Sequence, residues 1–348
     1  MELLLITIYV GALIYLANLN ELNGEWEQII EWMLYGLGLL TILLGFTVGL
    51  TSLVGAFPEA AVLSASNEPG AILPDLPKIN LLVGMGFSII ATGIGLFSFR
   101  VVHSQNLRQV LSQRLRFPHF KHDSSIHTVA LILILCVLTY VFATFVLVGG
   151  QEGLTEELAS AGLDPFNLVF TTVIYILIAF LGIGLFLRRD LRQSLSRLGL
   201  EPFRWMDIGR GTLAALLLFF FVIVAGGLWQ TLVSPETFSE QTLSSDTLFS
   251  QYTESLFIGF LVALCAGVSE EILFRGALQP VFGIGLTSVF FVLLHVQYIF
   301  TPATLILLVV AFVFGYLRKR YNTNTVIMAH FVYNFIPICL AILLRMAV

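Results

Sequence analysis

A series of long apolar segments limits the fold more than any other feature of the sequence. A helix needs about 20 mostly apolar residues to cross a bilayer, and ten segments approach that length and composition. They are residues 1–19, 32–55, 81–99, 128–149, 167–187, 211–229, 255–274, 284–300, 303–318 and 325–346. The predicted fold is therefore an all-α, polytopic transmembrane bundle of about ten spans, in which 255–274 and 284–300 are the least regular candidates.

The composition excludes several other classes of protein. Hydrophobic residues make up 57% of the chain and charged residues only 11%, whereas a soluble domain carries roughly a quarter charged residues. A formal charge of -5 provides no basic field for a nucleic acid. The three cysteines (Cys136, Cys265 and Cys339) lie in apolar runs and form no metal-binding spacing. A soluble enzyme, a disordered chain and a nucleic-acid binder are therefore excluded.

The basic residues predict how the spans are oriented. Fourteen of the 17 basic residues lie in three connectors, which are 100–121, 188–210 and 318–320. The connectors on the opposite side are 56–80, 150–166 and 230–254. These contain eleven acidic residues and a single basic residue, Lys78. Because basic loops stay in the cytoplasm, we expect the three basic connectors to be cytoplasmic and both termini to be outside. The expected location is a cell membrane that the protein crosses several times, and we interpret this membrane as a bacterial inner membrane.

Three connectors have an unusual distribution of charged and apolar residues. Residues 20–31 fall on the basic side but contain four glutamates and no basic residue, which departs from the general pattern. Residues 104–120 and 189–200 place leucines near one face and arginines on the other. Both segments suit either a position in the lipid headgroup region or a solvated connector.

Charged residues stand at the end of the seventh apolar segment, where they are costly. An ionised side chain at the bilayer centre costs roughly 2.5–3.5 kcal/mol on insertion scales. Glu271 and Arg275 have an i,i+4 spacing with the acid first, which favours an ion pair along a helix. Glu270 points about 100° away around the helix. We therefore expect the Glu271 carboxylate to be paired with Arg275 and the Glu270 carboxylate to remain available for chemistry.

Two histidines are embedded in apolar segments, whereas the other four lie in or beside the basic connector 100–127. His295 ends the run that begins at Ser288, and His330 precedes Asn334 by one helical turn on the same face. A glutamate beside a histidine can activate water, and a histidine with an asparagine can stabilise an oxyanion. Two histidines and a carboxylate are also a catalytic zinc set. The residue types leave both kinds of site open.

Three motifs follow one another in order on successive apolar segments. They are Glu270-Glu271-x-x-x-Arg275, Phe291-x-x-x-His295 and His330-x-x-x-Asn334. Together they resemble the motifs of the CPBP intramembrane proteases, which include the type II CAAX prenyl endopeptidases and the bacterial abortive-infection (ABI) proteins. The resemblance predicts a protease-like domain over 205–348 and leaves 1–204 as an N-terminal transmembrane region of about five spans with no assigned role.

The resemblance implies a role for each matching position. Glu270 matches the catalytic glutamate, and His295 matches the histidine that helps it to orient and deprotonate water. His330 and Asn334 match the pair that forms the oxyanion hole. The implied activity is an intramembrane glutamic endopeptidase that cuts a peptide bond near the cytoplasmic face.

The remaining implications concern support and partners. Glu271 and Arg275 match the second acid and the arginine of the motif, which we interpret as groups that support the site. The implied mechanism uses no cofactor and no metal ligand, although a zinc requirement stays open. The expected partners are membrane lipids and a substrate that is a peptide or a membrane protein, with a lipidated tail as one alternative. No nucleic-acid partner is expected. The sequence does not predict the oligomeric state.

Two other classes of function remain as alternatives. A non-catalytic member, such as a bacteriocin-immunity or scaffold protein, would use the polar residues only for binding or folding. A proton-coupled transporter would use them as a relay, but no matched pair of interrupted helices marks two halves of the chain. The motifs HExxH, GxGD and GxSG of other intramembrane proteases are absent.

Overall fold

The computed structural model describes residues 2–56, 79–115 and 117–347, and over these ranges the chain is α-helical without β-strands. The α-helices are α1 (Glu2–Asn23), α2 (Glu27–Ala56), α3 (Leu81–His103), α4 (Gln105–Arg114), α5 (Ser125–Leu147), α6 (Gln151–Ala161), α7 (Pro165–Gly182), α8 (Leu191–Leu198), α9 (Trp205–Leu232), α10 (Pro235–Tyr252), α11 (Leu256–Glu270), α12 (Gln279–Leu293), α13 (Pro302–Arg320) and α14 (Thr323–Ala347). A π-helix (Glu271–Leu278) joins α11 to α12, and a 3₁₀ turn (Val296–Tyr298) follows α12.

Nine helical stretches in the described ranges are long and apolar enough to cross a membrane. The prediction of a polytopic all-α membrane bundle is therefore confirmed. Nine is the number of helical stretches rather than of crossings, because segments 255–274 and 284–300 both lie in the stretch Leu256–Leu293, which is kinked at Gly283. The second of these segments is helical only as far as Leu293, since the backbone leaves the helix before His295.

The chain folds back on itself at Gly283, inside α12. Gly283 has φ 83° and ψ 168°, a left-handed backbone conformation that a glycine adopts without steric cost. The Arg275 guanidinium lies 4.3 Å from the centroid of the Phe291 ring, whereas a straight helix would separate these residues by about 24 Å. The part of α12 that follows Gly283 therefore packs beside the π-helix.

Contacts place the three basic connectors at one end of the bundle, which we call the basic end. His119 N–H donates to the Val281 carbonyl next to the Gly283 turn. Leu198 packs against Gly276 of the π-helix, and the Arg318 guanidinium lies against Gly199.

The predicted connectors on the other side also meet one another. Gln151 at the start of α6 donates to the Gln297 carbonyl, and Gln251 in α10 donates to the Leu158 carbonyl in α6. Alternate connectors therefore gather at opposite ends, as successive spans require. Most of 56–80 lies outside the described residues.

The acidic connector 20–31 lies among basic groups. Glu21 forms an ion pair with Arg188 at 3.6 Å and accepts a hydrogen bond from Ser124 at 2.6 Å. Glu27 and Glu31 line a cavity of about 500 Å³ together with Arg100 and Arg108. Three of the four glutamates that depart from the charge pattern of the sequence (Glu21, Glu27 and Glu31) therefore lie near arginines of other connectors.

Small residues allow α2 and α3 to pack closely. Gly38 and Gly45 of α2 face Gly95 and Ala91 of α3, and a Cβ added at Gly95 would lie 2.7 Å from the Gly38 carbonyl oxygen. In lipid, helix association depends on such close approach because apolar burial between helices contributes little.

We expect Gly95→Ala to reduce the free energy of unfolding by about 1–3 kcal/mol, because the added methyl group overpacks this contact. Gly93→Ala is the matched control, since Gly93 is exposed on the same helix and a Cβ there would meet nothing within 4 Å. Thermal unfolding of the two purified variants in detergent measures the difference. Equal unfolding temperatures would contradict a tight α2–α3 contact.

A polar network fixes the helices that surround the C-terminal motifs. Asp207 near the start of α9 accepts hydrogen bonds from Asn322 and Thr325 at the start of α14, each at 3.0 Å. In addition, α9 and α11 pack along α14, and α7 of the N-terminal region packs on α11 and the π-helix. The backbone of the motif residues is therefore held from several sides.

Candidate active site

The π-helix Glu271–Leu278 forms the backbone of the candidate site. π-Helical turns are rare and occur frequently at functional sites. Here the π-helix contains Glu271 and Arg275 and begins directly after Glu270, the last residue of α11. All three charged residues of the first motif therefore lie at the point where the helix changes its winding.

Glu271, Arg275 and His330 form a buried polar network. Glu271 Oε2 lies 3.2 Å from Arg275 Nε, the pair that the i,i+4 spacing predicts. Glu271 Oε1 lies 2.7 Å from Nδ1 of His330, which comes from α14. Their relative exposures are 0%, 1% and 5%, so water does not screen these interactions.

Aromatic rings surround the remaining faces of the Arg275 guanidinium. Its central carbon lies 4.3, 5.7 and 5.9 Å from the ring centroids of Phe291, Phe314 and Phe274. Nη1 and Nη2 have no hydrogen-bond partner among the described residues. The rings and the Glu271 carboxylate therefore supply the stabilisation of this cation, and neither terminal nitrogen is committed to another group.

Unlike Glu271, Glu270 forms no ion pair and no hydrogen bond with another described residue. Its side chain is half-buried, and its Oε2 atom is buried without a hydrogen bond in the described part of the structure. Tyr252, the last residue of α10, lies within electrostatic range: burial raises the pKa of Tyr252, and Tyr298 and Glu270 contribute in the same direction. A buried carboxylate oxygen without a protein partner is a suitable position for a water molecule.

The Phe291 ring links the two histidines of the motifs. Its centroid lies 4.5 Å from the His295 ring and 6.3 Å from the His330 ring. His295 Nδ1 also lies 2.7 Å from the carbonyl oxygen of Phe291. No hydrogen bond or ion pair among the described residues joins Glu270 to either histidine. The structure therefore connects both imidazoles through a shared aromatic contact.

Asn334 and Tyr298 complete the surroundings. Asn334 is half-buried on α14 and makes no hydrogen bond to a described residue, so its carboxamide is uncommitted. Tyr298 was not predicted as a site residue, yet its ring stacks on that of His295 with a centroid distance of 6.4 Å and an interplanar angle of 18°. Its one sequence signal is the polar pair Gln297-Tyr298 that interrupts an apolar run just after His295.

The structure does not bring the zinc set that the sequence left open into one group of ligands. Across the described ranges, no group of three His, Cys, Asp or Glu residues is placed to hold a metal ion.

The fold defines a polytopic, all-α membrane protein with a charged network buried among its C-terminal helices. Residues 252–336 match the family model described as Type II CAAX prenyl endopeptidase Rce1-like. This match contains all three motifs and confirms the resemblance to the CPBP proteases, a family of protease-type enzymes. No curated protein and no solved structure matches the chain.

Proposed function

We propose that the protein is an intramembrane endopeptidase that hydrolyses a peptide bond with a water molecule activated by Glu270 and His295. The observation that carries this proposal is the buried, partnerless Glu270 oxygen next to the buried network of Glu271, Arg275 and His330. The family match over residues 252–336 supports the same class of reaction.

Glu270 acts as the general base. A buried polar atom without a hydrogen bond costs about 1–3 kcal/mol, which a bound water offsets by donating to Oε2. During attack on the substrate carbonyl carbon, the water proton passes to Glu270 and then to the leaving amine, so the products are a carboxylic acid and an amine. A positioned general base contributes typically 10²–10⁴-fold to such a step.

His295 orients the same water. The Phe291 carbonyl oxygen can only accept a hydrogen bond, so Nδ1 of His295 carries the proton that this contact requires. In the neutral ring, Nε2 is then a hydrogen-bond acceptor that faces away from the backbone contact. Tyr298 stacks on the ring and limits its rotation. These contacts fix which nitrogen of the His295 ring carries the proton, and they fix the orientation of the ring.

His330 and Asn334 stabilise the oxyanion. Glu271 engages Nδ1 of His330, so Nε2 is the ring nitrogen available to substrate. Donation from Nε2 requires a proton on this nitrogen while Nδ1 faces the Glu271 carboxylate. The Asn334 carboxamide supplies a second donor. Glu271 and Arg275 therefore support the site by holding His330.

The position of the site suggests where substrates bind. The π-helix leads directly to the Gly283 turn at the basic end, which we assign to the cytoplasm of a cell membrane. The substrate is then a peptide or membrane-protein segment that reaches the bilayer from that side, with a lipidated tail as one alternative. We assign the reaction to residues 205–348, with residues 1–204 packed beside them through α7.

Replacing Asn334 tests this assignment. We expect Asn334→Ala to lower kcat by about 10²–10³-fold, because one oxyanion donor is lost, with little change in KM or in thermal unfolding. The measurement is cleavage of a fluorogenic peptide library by purified protein, with Asn106→Ala as a control because Asn106 is exposed on α4. Unchanged turnover in Asn334→Ala would contradict the oxyanion role, and a wild-type protein without turnover on any peptide would favour a non-catalytic immunity or scaffold function.

A further inference from the structure

The basic end contains a polar cavity between the start of α2 and the junction of α3 with α4. Its volume is about 500 Å³, and its charged lining consists of Glu27, Glu31, Arg100 and Arg108. The rest of the wall is polar except for Val102. In the part of the chain that the structure describes, none of the four charged side chains forms an ion pair or a hydrogen bond with another of them. The cavity therefore holds opposite charges that do not neutralise one another by contact.

The two arginines form the cationic wall of this cavity. Arg108 of α4 is only 7% exposed. Its Nε donates to the His122 carbonyl at 2.6 Å, and its Nη1 donates to the carbonyls of Val101 and Val102 at 2.8 and 2.7 Å. Its Nη2 has no hydrogen-bond partner among the described residues, and Arg100 lies beside it in the last turn of α3. A guanidinium that is held by backbone carbonyls and keeps one nitrogen uncommitted suits a phosphate oxygen.

The two glutamates form the acidic wall. Glu27 and Glu31 are one turn apart on α2, so they lie on the same face of the helix. Neither carboxylate accepts a hydrogen bond from a described residue, and both are therefore able to accept the N–H groups of a primary ammonium. A quaternary ammonium has no N–H and is bound by aromatic rings, but none of the described residues that line the cavity is Phe, Tyr or Trp. The acidic wall therefore favours a primary ammonium over a quaternary one.

We propose that the cavity binds a zwitterion in which a primary ammonium is linked to a phosphate, supplied by the headgroup of phosphatidylethanolamine or by a free molecule of the same chemistry. Arg100 and Arg108 bind the phosphate, and Glu27 and Glu31 bind the ammonium. A simple anion or a simple cation would compensate one wall and leave the other uncompensated. Because α2 begins and α3 ends at the cavity, it lies where lipid headgroups meet a protein. The site gives a binding role to the N-terminal region and shares no residue with the candidate active site.

Lipid competition tests the acidic wall. The protein is placed in nanodiscs that contain equal amounts of phosphatidylethanolamine, phosphatidylcholine and phosphatidylglycerol with the same acyl chains, and native mass spectrometry measures which lipid stays bound. We expect the wild type to prefer phosphatidylethanolamine over phosphatidylcholine, and Glu27→Gln/Glu31→Gln to lower this preference about 10-fold because the amides carry no charge. Glu152→Gln/Glu156→Gln is the matched control, since these two acids have the same i,i+4 spacing and are exposed on α6. The control should keep the preference of the wild type.

A second measurement identifies the source of the zwitterion and tests whether both charges are needed. Thermal unfolding of the wild type in detergent is followed with dihexanoylphosphatidylethanolamine, glycerophosphoethanolamine, inorganic phosphate or ethanolamine at equal ionic strength. Stabilisation by the short-chain lipid alone assigns the site to a headgroup, and stabilisation by glycerophosphoethanolamine as well assigns it to the free zwitterion.

Three results would overturn the proposal. The first is a wild type that retains phosphatidylethanolamine no better than phosphatidylcholine. The second is a wild type that neither zwitterion stabilises, or that inorganic phosphate or ethanolamine stabilises equally well. Both of these are measured on the wild type and do not depend on the folding of a variant. The third is the same loss of lipid preference in both glutamate pairs.

Discussion

Glu270→Gln is expected to lower peptide turnover by about 10²–10⁴-fold while leaving the unfolding temperature unchanged. The loss follows because an amide cannot accept the proton of the attacking water, and a positioned general base contributes a factor of this size. Stability should persist because Glu270 has no ion pair and no hydrogen bond at Oε2 in the described structure. The substitution is nearly isosteric, so the shape of the site is retained.

The measurement is turnover of a fluorogenic peptide by purified protein, together with thermal unfolding in the same detergent. Glu254→Gln is the matched control, because Glu254 is an exposed acid just before the start of the same helical stretch. A Glu270→Gln protein that is folded and retains wild-type turnover would remove Glu270 from the mechanism. A Glu270→Gln protein that is folded but has reduced turnover would support a role of Glu270 in catalysis, distinct from the structural role of its neighbour Glu271.

Local periodicity predicts one part of the site and misses another. The Glu271–Arg275 pair follows from an i,i+4 spacing, because helical neighbours meet wherever the rest of the chain lies. The bond between Glu271 and His330 joins residues 59 positions apart, so it depends on how α14 packs against the π-helix. The family resemblance groups His330 with Asn334, while the structure adds the carboxylate that holds its ring.

The fold shows the same division between local and non-local information. Long apolar runs predict a membrane bundle directly, because length and hydropathy are all that a span requires. Hydropathy carries no information about backbone winding, so it cannot indicate the π-helix at Glu271–Leu278 or the reversal at Gly283. Nor can charge counting alone explain the acidic connector 20–31, whose Glu21 pairs with Arg188 from a distant part of the chain.

Breaking the buried ion pair should have the largest effect on stability. Glu271→Gln removes the carboxylate that forms the buried ion pair with Arg275, and removing one member of a buried pair costs about 3–5 kcal/mol. Arg275→Met should cost a similar amount because it leaves Glu271 buried without its cation. The double variant Glu271→Gln/Arg275→Met should cost less than the sum of the two, since neither charge then remains uncompensated.

An exposed pair in the same chain supplies the control for this cycle. Glu201 and Arg204 also lie 3.2 Å apart, but their side chains are 47% and 58% exposed, against 0% and 1% for Glu271 and Arg275. Glu201→Gln should therefore change the free energy of unfolding by only about 0–1 kcal/mol. Reversible unfolding in mixed detergent micelles measures all four variants. If Glu271→Gln were no more destabilising than Glu201→Gln, the buried network would not be what holds His330 in place, and the supporting role of Glu271 would fail with it.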